Sequence, residues 1–181
     1  PYYDPNNYQK HSLIEMKNWA LTDVYPPGST FKIITIASAM LNNKINKNTK
    51  IMDTGKMKVG WWEITNYDYR EKGATGLIDL VYLFQHSSNI ASVKVAQMMT
   101  SEEYYDALQL FGFGQRTGID LPGESTGLLP KASTWDISTH ASMAYGYGAS
   151  VTAIQMISAV NAIANDGVWI TPHVIKYSDA E

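Results

Sequence analysis

Ser29 and Lys32 stand three residues apart, directly after Pro26-Pro27-Gly28, and an apolar run over residues 33–40 follows them. If that run is a buried helix, the hydroxyl and the amine share one face at its N-terminus. A serine hydroxyl is a poor nucleophile until a base within hydrogen-bond reach takes its proton. A lysine can be that base if it is held neutral. Burial beside an apolar helix and the positive end of the helix dipole both push its pKa down. Ordinary Ser and Lys usage gives roughly one chance S-x-x-K in a chain of this length, so the tetrapeptide needs support.

His86-Ser87-Ser88-Asn89 is the second polar cluster. In an extended turn, residues two apart point the same way, so Ser87 and Asn89 share a side while Ser88 faces elsewhere. That side carries a hydroxyl able to donate and accept, and an amide with donors and an acceptor. Such a pair can relay a proton to a leaving nitrogen and hold a substrate amide. Taken alone, S-x-N reads more simply as a polar helix junction, because Ser and Asn are favoured caps. His86 has no carboxylate partner in the sequence and is expected to be packed or solvent-facing. Trp61-Trp62 is expected to pack a hairpin; exposed, it would mark a binding surface. His11, His140 and His173 are scattered, and no metal-ligand spacing is present. Neither a metal nor a cofactor is expected.

The elements that must position these residues are partly legible. A first helix is expected over residues 29–41, stopping at Asn42-Asn43. A hairpin is expected across residues 51–67, punctuated by Gly55 and Gly60, which makes Lys58-Val59-Gly60 structural. A second helix is expected over 77–85, with Leu77, Leu80, Val81 and Phe84 on one stripe. A third follows over 90–99. Thr100-x-x-Glu103 forms a capping box for a fourth, through Leu110, ended by Gly112 and Gly114. Residues 118–130 form a Gly/Pro-rich loop. A long helix is expected over 152–164, ending at Asn165-Asp166-Gly167, with a strand at 168–175. The chain is therefore expected to be mainly helical.

At 181 residues this is one domain or most of one, with 45% hydrophobic and 17% charged residues, and enough length to bury a core. A net charge of −3 with mixed signs gives no basic footprint, so nucleic acid is not an expected partner. The absence of cysteine excludes disulfides, thiolate metal sites and a cysteine nucleophile. No apolar stretch approaches a membrane span. Both ends read as cut: residues 1–7 are turn-like and begin abruptly, and the strand-like 169–176 runs into Tyr177-Ser178-Asp179-Ala180-Glu181 with no partner strand after it.

S-x-x-K followed by S-x-N is the order found in β-lactamases and penicillin-binding proteins, where K-T-G completes the set. Thr22-Asp23-Val24-Tyr25-Pro26-Pro27-Gly28-Ser29-Thr30-Phe31-Lys32 resembles the active-site approach of class B penicillin-binding proteins, the peptidoglycan D,D-transpeptidases of division and elongation. Asp4-Pro5-Asn6-Asn7 resembles a segment that those enzymes place upstream. Gly118-Ile119-Asp120-Leu121-Pro122-Gly123-Glu124 is a further match, as is the stretch from Tyr145-Gly146-Tyr147-Gly148 through Val151-Thr152 and Gln155-Met156 to Asn165-Asp166-Gly167. The likeness runs almost end to end.

The resemblance implies an α+β fold, the penicillin-binding protein/β-lactamase-like transpeptidase fold, of which this chain is mainly the helical part with few strands. It implies that Ser29 attacks the penultimate D-Ala carbonyl of a stem peptide and forms an acyl-enzyme, its own N–H serving one arm of the oxyanion hole. Lys32 would take the Ser29 proton, Ser87 would pass a proton to the departing D-Ala, and Asn89 would bind the peptide amide and steady Lys32. Substrate binding thus falls to Ser29 and Asn89. An amine from a neighbouring stem peptide would complete the cross-link, and β-lactams would acylate the same serine. Tyr145-Gly146-Tyr147-Gly148 is expected to make a tight turn near the site, and Glu124 to serve as a cap or ion pair.

One motif departs. No Lys-Thr-Gly or Lys-Ser-Gly occurs after Asn89. Residues 1–181 are therefore expected to be a partial transpeptidase domain without the downstream K-[ST]-G strand and flanking sheet strands, which would supply the second oxyanion N–H and a carboxylate-binding hydroxyl. Two other readings stay open: a β-lactamase or D,D-carboxypeptidase-type serine hydrolase, and a β-lactam sensor in which acylation is a signal. The expected partners are stem peptides ending in D-Ala-D-Ala, β-lactam antibiotics, and other cell-wall synthesis or division proteins. The implied location is the extracytoplasmic face of the bacterial cell membrane, with an anchor outside this chain.

Overall fold

Reciprocal caps and buried apolar stripes set where the helices of this chain begin. The computed structural model describes residues 4–176, so residues 1–3 and the tail 177–181 fall outside the description. Two short helices, α1 (Leu13–Met16) and α2 (Trp19–Thr22), lead into a 3₁₀ turn, Gly28–Phe31, and then α3 (Lys32–Leu41). The strands β1 (Lys50–Asp53), β2 (Lys56–Val59) and β3 (Trp62–Thr65) follow, then α4 (Tyr69–Lys72) and β4 (Gly76–Asp79). The remainder is α5 (Leu80–Gln85), α6 (Asn89–Ala96), α7 (Ser101–Leu110), α8 (Ile137–Met143) and α9 (Ala153–Ala164). The class is α+β and mainly helical, as expected.

Three capping boxes are present in full among the described residues, the first between Ser12 and Glu15 at the start of α1. Glu103 N–H donates to Thr100 Oγ1 at 3.1 Å and Thr100 N–H donates to Glu103 Oε2 at 2.8 Å, which starts α7. Thr152 and Gln155 make the same exchange at the start of α9, at 2.9 and 3.2 Å. Gln155 then does more than cap. Its fully buried amide donates to the Gln115 and Thr126 carbonyls, both at 2.8 Å, and so pins the loop over residues 115–127 to α9.

α3 is the central element, packing against α6, α7 and α9. Phe31, Ile34 and Ala39 are completely buried with Leu83, Val93, Leu108, Phe113 and Met143. Burying Phe31 alone is worth about 1.5–3 kcal/mol, and its ring meets Phe113 edge-on with centroids 5.0 Å apart. The strands make two small antiparallel pairs: the β2–β3 hairpin, with Lys56 opposite Thr65 and Val59 opposite Trp62, and β1 with β4, with Lys50 opposite Asp79.

Several expectations are corrected. The second helix begins at Leu80, not at residue 77, because Gly76–Asp79 pairs with β1 and Asp79 caps α5 through the Tyr82 N–H at 2.8 Å. The first α-helix begins at Lys32, so Ser29 lies on the preceding 3₁₀ turn. α6 ends at Ala96, short of residue 99. No strand forms over residues 168–175: the Val174 and Ile175 N–H groups go to the Asp120 carboxylate, at 2.8 and 2.9 Å, in place of a sheet ladder. α8, capped by Asp136, has no counterpart in the sequence reading. Trp61 and Trp62 do not pack the hairpin; they stand at its tip, 93% and 71% exposed. The hairpin register accounts for this, since Trp61 falls in the turn between β2 and β3.

Candidate active site

The turn that carries Ser29 is shaped by backbone contacts. Gly28 has φ +58°, a conformation open to glycine, and its N–H donates to the Gly146 carbonyl at 3.0 Å. Gly146 has φ +82° and lies so close that a Cβ there would run into the Gly28 carbonyl oxygen. The Tyr145–Gly148 turn therefore buttresses the Ser29 turn, which is the role near the site that its glycines suggested. Thr30 Oγ1 donates to the Pro27 carbonyl at 2.7 Å, and the Lys32 N–H closes the turn onto the Ser29 carbonyl. Phe31 anchors the turn in the core while Ser29 stays exposed. Among the described residues the Ser29 hydroxyl makes no hydrogen bond. Side chains three apart eclipse in a 3₁₀ turn, so Ser29 stands over Lys32.

Lys32 is 2% exposed. Its Nζ donates to the Ser87 carbonyl at 2.5 Å, to Ser87 Oγ at 2.9 Å and to Asn89 Oδ1 at 2.7 Å. Burial pushes the amine down to about 8. The three oxygens pull the other way, because each accepts from the ammonium. The structure thus brings Lys32, Ser87 and Asn89 into direct contact, with Ser29 one turn before the lysine.

S-x-N straddles a helix junction. Ser87 follows the end of α5 with φ +51°; its N–H donates to Phe84 O at 3.3 Å, and the Ser88 N–H donates to Leu83 O at 3.0 Å. That is the Schellman cap, with serine in the position usually given to glycine. Ser88 ends this motif and also caps α6, its Oγ accepting the Ala91 N–H at 2.9 Å. Ser87 and Asn89 face the same way as expected, but a left-handed residue and the first turn of a helix achieve it, not an extended turn. Asn89 Nδ2 donates to the Thr65 carbonyl at 3.0 Å, which turns Oδ1 toward Lys32.

Ser88 points away from Lys32, into a buried polar cluster absent from the sequence reading. Its Oγ donates to Asp53 Oδ2 at 2.7 Å, and Asp53 and Asn66 are both buried. A hint was available: Asp and Asn at the ends of strand-like runs are turn formers whose side chains bond nearby backbone.

A cleft of about 580 Å³ opens beside Asn89, lined by the β2–β3 hairpin (Trp62, Thr65), α8 (Ser138, Ser142) and Tyr145. Glu124 is a loop brace, accepting from the Thr117 N–H and hydroxyl at 2.6 and 2.5 Å and from the Gly118 N–H at 3.2 Å. His86 stacks on Tyr82 with ring centroids 4.0 Å apart. No group of three or more potential metal ligands occurs among the described residues.

Comparison with known proteins follows this geometry. The family model for the penicillin-binding protein transpeptidase domain matches residues 1–180. The chain is 36% identical over 178 residues to stage V sporulation protein D of Bacillus subtilis, covering 97% of this chain and 27% of that protein. It is 32% identical over 176 residues to peptidoglycan D,D-transpeptidase FtsI of Buchnera aphidicola, covering 97% of this chain and 30% of that one. Among solved structures, penicillin-binding protein 3 of Mycobacterium tuberculosis complexed with aztreonam superposes with a TM-score of 0.82 at 33% identity, over 96% of this chain and 38% of the other. The chain thus spans less than a third of the length of these two curated relatives.

Proposed function

This chain belongs to the penicillin-binding protein transpeptidase family, and we propose that it carries the nucleophile and proton-transfer groups of a peptidoglycan D,D-transpeptidase. The observation that carries this reading is the Lys32 amine: buried, one turn after an exposed serine, and bonded to both side chains of S-x-N.

With its pKa near 8, about a tenth of Lys32 is neutral at pH 7. The neutral amine takes the Ser29 proton as Oγ bonds to the penultimate D-Ala carbonyl carbon of a stem peptide. The Ser29 N–H, among the groups that a helical first turn leaves without a partner, receives the developing oxyanion. Collapse breaks the C–N bond, and the departing D-Ala nitrogen takes a proton from Lys32 through Ser87 Oγ. Of the three oxygens around Nζ, the Ser87 hydroxyl alone can reverse from acceptor to donor, which suits it to this relay. An amine of a second stem peptide then attacks the ester, loses its proton along the same route, and returns Ser29 to its hydroxyl form.

Asn89 lines the cleft, and its Nδ2 holds a second hydrogen beyond the one given to Thr65, which suits it to a substrate carbonyl. A β-lactam takes the place of the first stem peptide, its ring amide C–N bond breaking as the ester to Ser29 Oγ forms while the ring nitrogen takes the proton; the complex of the Mycobacterium tuberculosis relative with aztreonam supports β-lactam binding. The whole protein would act outside the cytoplasmic membrane. No described helix is long and apolar enough to cross a membrane.

The test is the intact mass of this chain after incubation with benzylpenicillin, beside Ser29→Ala. A long-lived adduct mapped to Ser29 and absent from the variant supports a transpeptidase. A rapidly released adduct would favour a hydrolase, and labelling that survives Ser29→Ala would overturn the assignment of the nucleophile.

A further inference from the structure

We propose that Asp53, at the end of β1, and Asn66, just after β3, are positioning residues for acyl transfer, holding the Ser87–Asn89 junction in the geometry that contacts Lys32. This rests on the reading of Ser29, Lys32 and Ser87 given above.

Asp53 is the last residue of β1 and Asn66 directly follows β3. They are 1% and 6% exposed. Asn66 Nδ2 donates to both oxygens of Asp53, at 3.0 and 2.9 Å, and the Gly55 N–H donates to Oδ1 at 2.7 Å. The Ser88 hydroxyl takes the remaining place on Oδ2. With its amide so oriented, Asn66 presents Oδ1 to the Asn89 and Ile90 N–H groups, at 2.9 and 3.2 Å. Those are first-turn groups that α6 cannot satisfy itself. α6 therefore has two caps, Ser88 within the chain segment and Asn66 from across the cluster.

The consequence reaches the site through Ser87. A non-glycine residue at φ +51° costs roughly 1–2 kcal/mol, and such strain persists only where the surroundings over-determine it. Ser88 on one side is fastened by Asp53, Asn89 by Asn66 and Thr65, and the end of α5 by its Schellman bonds. The left-handed backbone in turn aims both the Ser87 carbonyl and its hydroxyl at Nζ. No atom of Asp53 or Asn66 is hydrogen-bonded to Lys32, so the bonded path from them to the amine runs through the junction.

Complementarity gives a specific test. Asp53 is acceptor-only and faces the Asn66 amide hydrogens. Asp53→Asn sets amide against amide, and Asn66→Asp sets carboxylate against carboxylate, whereas the double exchange restores one donor face and one acceptor face. The expected result is a β-lactam acylation rate at least tenfold lower for each folded single variant, and recovered to within about threefold by the exchange. Lys32 titration, followed by NMR of ¹³Cε-labelled lysine, should move by at least half a pH unit in the singles and return in the exchange. A merely stabilising role would leave both readouts unchanged on folded protein, and singles within twofold of the parent with an unmoved Lys32 would overturn the proposal. Where a single variant loses the fold, Asn66→Ser shortens the side chain and leaves one hydroxyl in place of the amide that joins Asp53 to α6: slowed acylation supports positioning and an unchanged rate overturns it. If the parent chain takes no β-lactam, the acyl-transfer reading fails separately, and the Lys32 titration still decides this one.

Discussion

The two halves of the site are held by opposite means. The Ser29 turn is placed by backbone: two glycines in close approach, a 3₁₀ turn, and Phe31 driven into the core, with the Ser29 hydroxyl free of partners among the described residues. The Ser87–Asn89 junction is held largely by side chains: a buried carboxylate and amide, a serine hydroxyl that caps α6, and an asparagine bonded at both ends of its amide. In the proposed mechanism this leaves the Ser29 hydroxyl free to turn toward an incoming carbonyl, while the groups assigned to its proton are tied down. Low dielectric makes such a buried network rigid only while every member is satisfied.

The contrast can be broken from either side. The largest effect belongs to the point where the halves meet. Lys32→Ala removes the base and should slow β-lactam acylation by at least about a hundredfold, measured by stopped-flow or quenched mass spectrometry; an unchanged rate would remove lysine from that role. Next comes pH. A neutral amine is required, so acylation should be lost as pH falls through the lysine midpoint near 8 and should rise about tenfold between pH 7 and 9. A flat profile over that window would assign the proton elsewhere.

Gly146→Ala attacks the backbone half alone. The positive φ costs roughly 1–2 kcal/mol by itself, and the Gly28 carbonyl must shift to admit the new methyl group. A lower melting temperature with slower acylation is expected; a neutral outcome in both would mean that the turn does not need its buttress. The smallest effect sharpens the comparison. Ser87→Gly removes the side chain but frees the left-handed backbone, so stability should stay level or rise by up to about 1 kcal/mol while acylation falls. Denaturant unfolding beside the rate assay separates the two, and a stability loss above about 2 kcal/mol would show that the Ser87 side chain carries the junction.

What was legible in the sequence tracks the same division. The Thr100 box depends on residues within a few positions of one another and is found where the pattern placed it, and Ser29 and Lys32 do stand one turn apart, though Ser29 sits on a 3₁₀ turn and not in the first α-helix. Ser87 and Asn89 were legible as types, and the resemblance supplied their order. Non-local contacts were not. Gly76–Asp79 looked like the start of a helix because Leu77 continues the stripe of Leu80, Val81 and Phe84, and only its pairing with β1 makes it a strand. Residues 168–175 read as a strand from their Val, Trp and Ile content, yet the Val174 and Ile175 amides find the Asp120 side chain. The link from Asp53 through Asn66 to Ser88 joins residues up to 35 positions apart, and no spacing rule connects them.

Ser88, the unnamed middle of S-x-N, closes one helix and opens the next within a single residue. The triplet therefore has no slack: one residue inserted between Gln85 and Ile90 would break the Schellman bonds or strip the cap from α6. It also cannot travel alone. Grafting the motif onto another scaffold would require its hairpin to come with it, because the smallest portable unit runs from Asp53 to Asn89.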